Sequence, residues 1–351
     1  MPAGTVEWLG EIGGGTVTRL DRQLARREAW AVDVTRPDGS VLEGFLRLDR
    51  NPPTSGVSAL EREARVVDAL ASTGVPVPGI HARDRDRALV LYERVRGRAD
   101  VDRLTDPDQQ RAVMEDHIRA VARLHTLDID GLGLEDALGA PPETAAECAL
   151  AEVDRMLGIF RGFLAGYHDP LITYSVEWLR RFVPTHVARV SLLQGDTGPA
   201  NYMFDADRVT ALVDWELAHF GDPMEDLGNI SVREFWQPSG GLTGLFELYE
   251  RESGIPYDRK AAQYYRVQQN VRGSVGIHLA TIDPKPEFGP LALFLMYRYA
   301  TDRSTCEAMA EYMGIELERP EMPDAVSNAD VLADHAIFLQ QHDVLPHVEH
   351  P

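Results

Sequence analysis

The sequence predicts an α+β fold in which a small β-rich N-terminal lobe precedes a larger, mainly helical lobe. Up to about residue 97, strand-like runs end at turn residues, and one amphipathic helix lies among them. Beyond that point, apolar residues recur at helical period in most segments. One island of β structure, residues 202–215, interrupts the helical part. We therefore divide the chain into lobes of residues 1–97 and 98–351.

The N-terminal elements follow from turn and capping signals. Ser58 and Glu61 have the spacing of a capping box and predict a helix start, and Gly74 follows its last apolar turn. The turn Arg36-Pro37-Asp38-Gly39 separates the first two predicted strands. The predicted strands cover 28–35, 41–48, 79–82 and 88–95.

The C-terminal elements are mostly helices. Asp106 and Pro107 form a cap and first-turn pair, which predicts a helix that runs to about Leu127. In the β island, a turn at 205–208 joins two short strands. Further helices are predicted over 143–165, 172–187, 225–236, 242–253, 259–281, 290–313 and 329–341.

Composition narrows the class of protein. The chain of 351 residues has 56 acidic and 35 basic side chains, a net charge of −21, which argues against binding to nucleic acid or anionic membranes. Its two cysteines supply no disulfide framework. The N-terminus does not resemble a signal peptide, and no apolar run approaches the roughly 18 residues of a membrane span. We expect a cytoplasmic protein. Because lysine occurs only at 260 and 285, arginine must supply any cation needed earlier in the chain.

Reactive side chains are densest around the β island. Asp196 and Asn201 lie five residues apart in a loop, and Asp214 follows the predicted hairpin. Carboxylate and amide oxygens suit Mg²⁺, and an additional carboxylate can orient a hydroxyl nucleophile, as in phosphoryl transfer. Taken singly, these residue types are also common in turns.

The joint pattern resembles a known signature. The run QGDTGPAN…VDWELAHFGDPMEDLG is similar to the HGDxxxxN…DWE signature of aminoglycoside phosphotransferase-like kinases. Residues 217–228 most resemble the branch found fused to, or beside, acyl-CoA dehydrogenases. The resemblance implies a two-lobed protein-kinase-like fold and phosphorylation of a small-molecule hydroxyl by ATP and Mg²⁺. It also implies that Asp196 is the catalytic base and that Asn201 and Asp214 hold magnesium.

Three neighbours of these residues complete the motif. Gln194 stands where the family usually has a histidine that braces the loop, and a glutamine amide can likewise donate and accept hydrogen bonds. Trp215 is interpreted as a packing residue, and the role of Glu216 is left open. Asp222 is predicted to cap the next helix.

The resemblance also suggests nucleotide contacts in the first lobe. Gly13, Gly14 and Gly15 precede the predicted strands, where related kinases cover the ATP phosphates, although a plain loop is the alternative. Arg47 occupies the position of the phosphate-binding cation and Glu63 that of its acid partner. The alternative interpretation is that Arg47 and Glu63 are both solvated surface charges.

Two residues near the end of the first lobe are candidates for the adenine contact. Tyr92 and Glu93 lie in the run that resembles the hinge between kinase lobes, where main-chain groups meet adenine. The histidines receive no metal or catalytic role, because those in helical patterns have no partner one turn away. They are His117, His125, His278 and His335.

The acceptor stays open between two chemical classes. The resemblance favours a hydroxyacyl-CoA or related catabolic alcohol, and the alternative is an aminoglycoside-type sugar. The acidic stretch 316–324 would suit a cationic acceptor, whereas several arginines would suit an anionic one. These arginines are Arg266, Arg272, Arg298 and Arg303. The departure at Gln194 also allows a catalytically weak nucleotide-binding module.

Overall fold

The first lobe is a five-stranded antiparallel sheet with one helix on each face. In the computed structural model, which describes residues 1–23, 28–49, 57–163, 169–282 and 291–318, the strand order is β1-β2-β3-β5-β4. The strands are β1 (Thr16–Gln23), β2 (Ala29–Thr35), β3 (Val41–Leu48), β4 (Ile80–Asp84) and β5 (Leu89–Glu93). The helices are α1 (Thr5–Gly13) and α2 (Ala59–Leu70).

Local sequence signals explain most of this lobe. The backbone N–H of Glu61 donates to the Ser58 hydroxyl, so α2 begins at the predicted capping box. The predicted partners β2 and β3 pair in register from Ala29 opposite Arg47 to Thr35 opposite Val41.

The larger lobe is helical, as predicted, and two small antiparallel strand pairs are embedded in it. Its helices are α3 (Pro107–His125), α4 (Glu135–Leu138), α5 (Ala145–Phe163), α6 (Pro170–Arg181), α7 (Pro223–Trp236), α8 (Leu245–Ser253), α9 (Arg259–Ile282) and α10 (Leu291–Met313). Its strands are β6 (Ser191–Leu193), β7 (Tyr202–Asp205), β8 (Arg208–Leu212) and β9 (His219–Gly221). β7 pairs with β8, and β6 with β9.

The buried apolar residues form two clusters. The large one runs from α2 and β5 through the helical lobe and includes Leu70, Tyr92 and Trp215. The small one lies on the other face of the sheet, where Leu9 of α1 packs against strand residues such as Val34. Because the large cluster spans both lobes, it fixes the sheet against the segment around the β7–β8 hairpin.

Some predicted elements need correction. The helix predicted over 172–187 ends at Arg181, because Pro184 cannot continue a helix and restricts the residue before it. Sequence reasoning missed α1, and it missed β1, an edge strand whose side chains are mostly exposed. The three-residue strands β6 and β9 were missed because so short a segment has no readable period. The helix predicted over 329–341 lies outside the described residues.

Residues Met1–Met313 form one unit and residues 314–351 a second, of which the structure describes 314–318. The lobe boundary at residue 97 stays a prediction. Among the described helices, length and apolarity never combine to the degree that a membrane span needs.

Candidate active site

A cleft of about 540 Å³ lies between the sheet and the hairpin β7–β8. Phe45, Arg47 and Tyr92 line it from the sheet, and Asn201 and Asp214 line it from the hairpin region. The structure therefore brings the candidate nucleotide residues and the candidate metal ligands to one cavity.

Arg47 is the centre of charge in this cleft. Its Nη1 donates to both carboxylate oxygens of Glu63 at 2.7 Å, so the two side chains are in contact through one nitrogen rather than a two-nitrogen fork. The same guanidinium lies 3.6 Å from Asp214 Oδ1 and 3.9 Å from Glu216 Oε2. Burial alone would lower the pKa of Arg47, but the carboxylates of Glu63 and Asp214 outweigh it and raise the pKa. Carboxylates of Glu63, Asp214 and Glu216 thus lie within 4 Å of this guanidinium.

Asp214 is held in an unusual backbone conformation. Its φ of 64° places it in the left-handed region, which few residues other than glycine adopt. Ala200, with φ 72°, also lines the cleft in that conformation. Such residues persist where the surrounding structure holds them, often at functional sites.

Asp196 and Asn201 lie side by side. Asn201 Nδ2 donates to the carbonyl oxygen of Asp196 at 2.6 Å and to its carboxylate at 2.9 Å. Because both amide donations go to Asp196, Asn201 Oδ1 is the atom left to serve as a ligand.

Three residues that sequence reasoning did not place here also reach the Asp196 carboxylate. Asn229 Nδ2 donates to Oδ1 at 3.2 Å, Arg233 Nη2 donates to Oδ2, and Arg272 Nη2 lies 3.6 Å from Oδ1. Burial favours the neutral acid, but Arg233 and Arg272 outweigh it and hold the pKa of Asp196 below its ordinary value. Asp196 is therefore an ionised carboxylate surrounded by donors.

Arg272 differs from the other arginines considered for the acceptor. Each of the other three forms an ion pair away from Asp196, within or between helices of the same lobe. The pairs are Arg266 with Glu311 at 2.6 Å, Arg298 with Asp169 at 3.0 Å, and Arg303 with Glu307 at 2.8 Å. Of the acidic stretch 316–324, only its first three residues are described.

Gln194 braces the loop with its whole amide. Its Nε2 donates to the carbonyl oxygens of Asn201 at 3.0 Å and Val213 at 2.7 Å, and its Oε1 accepts from the Thr197 hydroxyl. The side chain is fully buried. It thus ties the loop to the segment that carries Asp214.

A buried network holds the same loop from the helical side. Asp226 accepts from the backbone N–H groups of Gln194 and Gly195 at 2.9 Å each. His125 Nε2 lies 3.1 Å from Asp226, and His125 Nδ1 lies 2.9 Å from the Tyr249 hydroxyl. His125, to which the sequence assigned no role, therefore positions the loop, and only the fold reveals this.

The structure also shows the surroundings of Asp222, Trp215 and Glu216, the other neighbours of the motif. Asp222 is the N-cap of α7, since its carboxylate accepts from Met224 N at 3.0 Å. Trp215 is buried, and its Nε1 donates to Leu212 O at 3.0 Å. Both expectations are confirmed, and Glu216 is buried beside Arg47.

The interpretation of Gly13, Gly14 and Gly15 as a phosphate cover needs correction. They lie where α1 turns into β1, and a Cβ on Gly15 would be 2.1 Å from Thr35 O. The cleft is lined by the other end of β1, by Arg19 and Gln23, and seven residues at about 3.3 Å separate Thr16 from Gln23 by about 23 Å. The glycines instead allow α1 to pack closely on the sheet. Residues 24–27, which join β1 to β2, lie outside the described part.

The candidate adenine contacts both line the cleft. The Tyr92 side chain is buried. The backbone N–H of Glu93 donates to Gly79 O at 2.7 Å, and that of Arg94 donates to Glu43 O at 3.2 Å. The backbone N–H groups of Glu93 and Arg94 are therefore already hydrogen-bonded within the protein.

The donor set fits magnesium better than a transition metal. Among the described residues, no group of three or more His, Cys, Asp or Glu side chains has the arrangement of a metal site. Asp214 Oδ1 is buried without a hydrogen-bond partner in the described part of the chain. One carboxylate and one amide oxygen match a cation that takes its remaining ligands from phosphate and water.

The fold and the site together define a two-lobed kinase-like protein with a charged cleft between its lobes. The model of the phosphotransferase enzyme family matches residues 32–243, more than half of the chain. The chain belongs to this family.

The chain is also similar to curated proteins and to solved structures. Acyl-CoA dehydrogenase family member 11 of Pongo abelii is 29% identical over 227 residues, which cover 60% of this chain and 28% of that protein. The chain therefore matches less than a third of that relative. A Ralstonia eutropha structure provisionally assigned as an aminoglycoside phosphotransferase has a TM-score of 0.70 at 22% identity, covering 89% of this chain and 98% of that one.

A second structure shows the same fold with ligands. It is a thermostable mutant of aminoglycoside phosphotransferase APH(4)-Ia in a ternary complex with ADP and hygromycin B. Its TM-score is 0.57 at 19% identity, and the alignment covers 86% of this chain and 99% of that one.

Proposed function

We propose that the protein transfers a phosphoryl group from MgATP to a hydroxyl of a small molecule. The observation that supports this most is the convergence of Arg47, Asp196, Asn201 and Asp214 on one cleft and its rim. Phosphoryl transfer depends on positioning and charge neutralisation, and these side chains supply both.

ATP occupies the cleft in this proposal. Tyr92 and Glu93 lie beside the base, and Arg47, held by Glu63, meets the phosphates. Asn201 and Asp214 hold Mg²⁺, which neutralises phosphate charge when it is bound.

Asp196 orients the acceptor in the same proposal. The hydroxyl oxygen attacks the γ-phosphorus, the bond from that phosphorus to the bridging oxygen breaks, and ADP leaves. The hydroxyl proton passes to the Asp196 carboxylate and then to solvent. Because the pKa of Asp196 is lowered, its main contribution is orientation rather than strong basicity.

The acceptor proposed is a hydroxyacyl-CoA or a related catabolic alcohol. The similarity to an acyl-CoA dehydrogenase family member supports it. Phosphorylation of an aminoglycoside-type sugar is the second candidate, favoured by the ternary complex with hygromycin B. A catalytically weak nucleotide-binding module is less favoured, because Gln194 makes the bonds of a loop brace. The lobe division at residue 97 and a cytoplasmic location belong to this proposal.

The test is a transfer assay with labelled ATP, Mg²⁺ and a panel of hydroxyacyl-CoA esters, hydroxy acids and kanamycin-type sugars. Asp196→Asn should lower kcat by a factor of roughly 10²–10⁴ and leave ATP affinity nearly unchanged, since it removes the group that orients the hydroxyl. Asp205→Asn, at an exposed aspartate of the β7–β8 hairpin, is the matched control.

Unfolding and ATP-binding measurements on both variants separate lost chemistry from lost structure. Parent activity in Asp196→Asn would remove Asp196 from the mechanism. If the parent protein binds ATP but phosphorylates no alcohol in the panel, the result would support the alternative of a catalytically weak nucleotide-binding module. If kanamycin is phosphorylated and hydroxyacyl esters are inert, the second acceptor class is correct.

A further inference from the structure

Two guanidinium groups meet at Asp196 from separate helices. Arg233 belongs to α7 and Arg272 to α9, and their Nη2 atoms contact different oxygens of the same carboxylate. Neither residue is among those that line the described nucleotide cleft. They approach Asp196 from α7 and α9 of the helical lobe.

The positive charge at this point exceeds the negative charge of Asp196. The two arginines face one carboxylate, whose oxygens also accept from Asn201 and Asn229. Hydrogen bonds from Asn201, Asn229 and Arg233 use three of the roughly four lone-pair positions of the carboxylate. Arg272, at 3.6 Å, adds positive charge without a hydrogen bond, so one position stays free for a substrate hydroxyl.

Glu152, a carboxylate whose charge interacts with Arg272, is already neutralised. Glu152 accepts from Arg155 through two hydrogen bonds of 2.8 and 2.6 Å. Burial raises the pKa of Glu152, but Arg155 and the other nearby cations outweigh it and lower that pKa to about 2. Glu152 therefore does not cancel the surplus charge at Asp196.

An unsatisfied donor lies on the same arginine. Arg272 Nη1 is buried and has no hydrogen-bond partner among the described residues, and its side chain is 13% exposed. Buried polar groups are normally satisfied, so this donor indicates a missing acceptor.

We infer that Arg233 and Arg272 bind a carboxylate of the acceptor, so that the acceptor is a hydroxy acid whose charged end lies close to the phosphorylated hydroxyl. Within the proposed acceptor class this selects the free hydroxy acid over a hydroxyacyl-CoA, because a thioester has no carboxylate at that end. This inference rests on the proposed phosphotransferase function. The substrate carboxylate accepts from the unpartnered Nη1 of Arg272, and the remaining lone-pair position of Asp196 accepts the hydroxyl. Guanidinium forks suit carboxylates and become stronger when both partners are largely buried.

The test compares straight-chain hydroxy acids of increasing length with their methyl esters, which keep the hydroxyl and lose the charge. The parent protein should prefer an acid over its ester by roughly 10- to 100-fold in kcat/KM, the effect of a charged hydrogen bond. Arg272→Gln and Arg233→Gln should remove most of this preference by raising KM for the acid more than KM for the ester, while any effect on kcat through Asp196 falls on both substrates. Arg272→Lys should retain part of it, because the charge remains and the fork is lost.

Arg266→Gln is the matched control, because Arg266 lies on the same helix and pairs with Glu311 away from Asp196. It should keep the acid preference. If Arg272→Gln lowers kcat/KM equally for acids and for esters, Arg272 acts on the transferring phosphoryl group, and the inference is overturned. A parent protein that uses esters as well as acids would overturn it too.

Binding measurements separate this inference from the proposed function. Calorimetry of hydroxy acids with the parent and the Arg272→Gln protein needs no turnover. Acid binding that is lost in the variant, without transfer from ATP, would support the carboxylate site and refute the kinase reaction. Transfer to uncharged alcohols only would support the kinase reaction and refute the carboxylate site.

Discussion

At the scale of single residues, Gln194 shows how the loop is built. A neutral histidine ring has one donor and one acceptor, whereas Gln194 uses two donations and one acceptance. One donation satisfies the carbonyl oxygen of Val213, and the other adds a second hydrogen bond to that of Asn201, which also accepts from Val213 N. Glutamine at this position is therefore compatible with an ordered loop.

Replacing Gln194 by leucine should destabilise the protein and slow transfer. The change removes the partner of the Val213 carbonyl oxygen and of the Thr197 hydroxyl, at about 1–3 kcal/mol for each group that stays buried, whereas Asn201 O still accepts from Val213 N. The measurements are urea unfolding and kcat, both of which should fall. Gln263→Leu, at a surface glutamine of α9, should change the free energy of unfolding by less than about 0.5 kcal/mol. Equal stability of the two variants would show that Gln194 is not a brace.

At the scale of elements, α7 organises the catalytic loop through one face. Asp226, Asn229 and Arg233 are three and four residues apart, so they lie along one side of the helix. All three contact residues 194–197 of the loop. On α7, Gly228 allows close packing on α9, since a Cβ there would be 2.8 Å from Arg266 N. The helix thus fixes both the loop and Arg272, which α9 carries.

The cap of α7 gives a pH-dependent prediction. Burial, the largest cause, raises the pKa of Asp222 to about 7, against roughly 3.9 for a free aspartate. Between these values the folded state binds more protons than the unfolded state, so the free energy of unfolding falls as pH rises from about 4 to about 7.

Asp222→Asn keeps a good N-cap and removes this titration. Urea unfolding should show a variant that is more stable than the parent at pH 8, with a smaller difference at pH 5. Asp106→Asn, at the exposed cap of α3, is the control for the effect of burial. A difference that does not change with pH would refute the role of Asp222 ionisation.

At the scale of the whole molecule, Arg47 links parts that are distant in sequence. It lies on β3 and contacts Glu63 of α2, and its charge also reaches Asp214 and Glu216 beyond β8. Sheet, helix and catalytic segment therefore meet at one guanidinium. Its loss affects the geometry of the cleft as well as its charge.

Arg47→Ala should weaken ATP binding by about 10- to 100-fold, because it removes a cation from the phosphate region and a partner from Glu63. Arg47→Lys should recover part of the affinity, since it restores the charge. Calorimetry with MgATP measures both. Arg65→Ala, which removes a surface ion pair with Glu61 on α2, should bind ATP like the parent. Unchanged affinity in Arg47→Ala would show that the cleft holds phosphate by other groups.

Local patterns were sufficient for much of the fold and for the core of the candidate site. The capping box of α2, the strands β2 and β3, the hairpin β7–β8 and most helices follow from short-range periodicity and turn chemistry. The motif residues could be proposed because Asp196, Asn201 and Asp214 lie within twenty residues of one another. Their spacing is itself the signal.

Only the tertiary structure decided which distant side chains surround these residues. Asn229, Arg233 and Arg272 reach Asp196 because α7 and α9 pack together, and no local pattern distinguishes Arg272 from Arg266. The incorrect interpretation of the glycines has the same origin. Gly13 to Gly15 match a local sequence pattern, but they lie at the end of β1 that is distant from the cleft. Local sequence determines periodicity, caps and turns through interactions a few residues apart. Long-range packing determines which charges meet, because that depends on how whole elements bury their apolar faces.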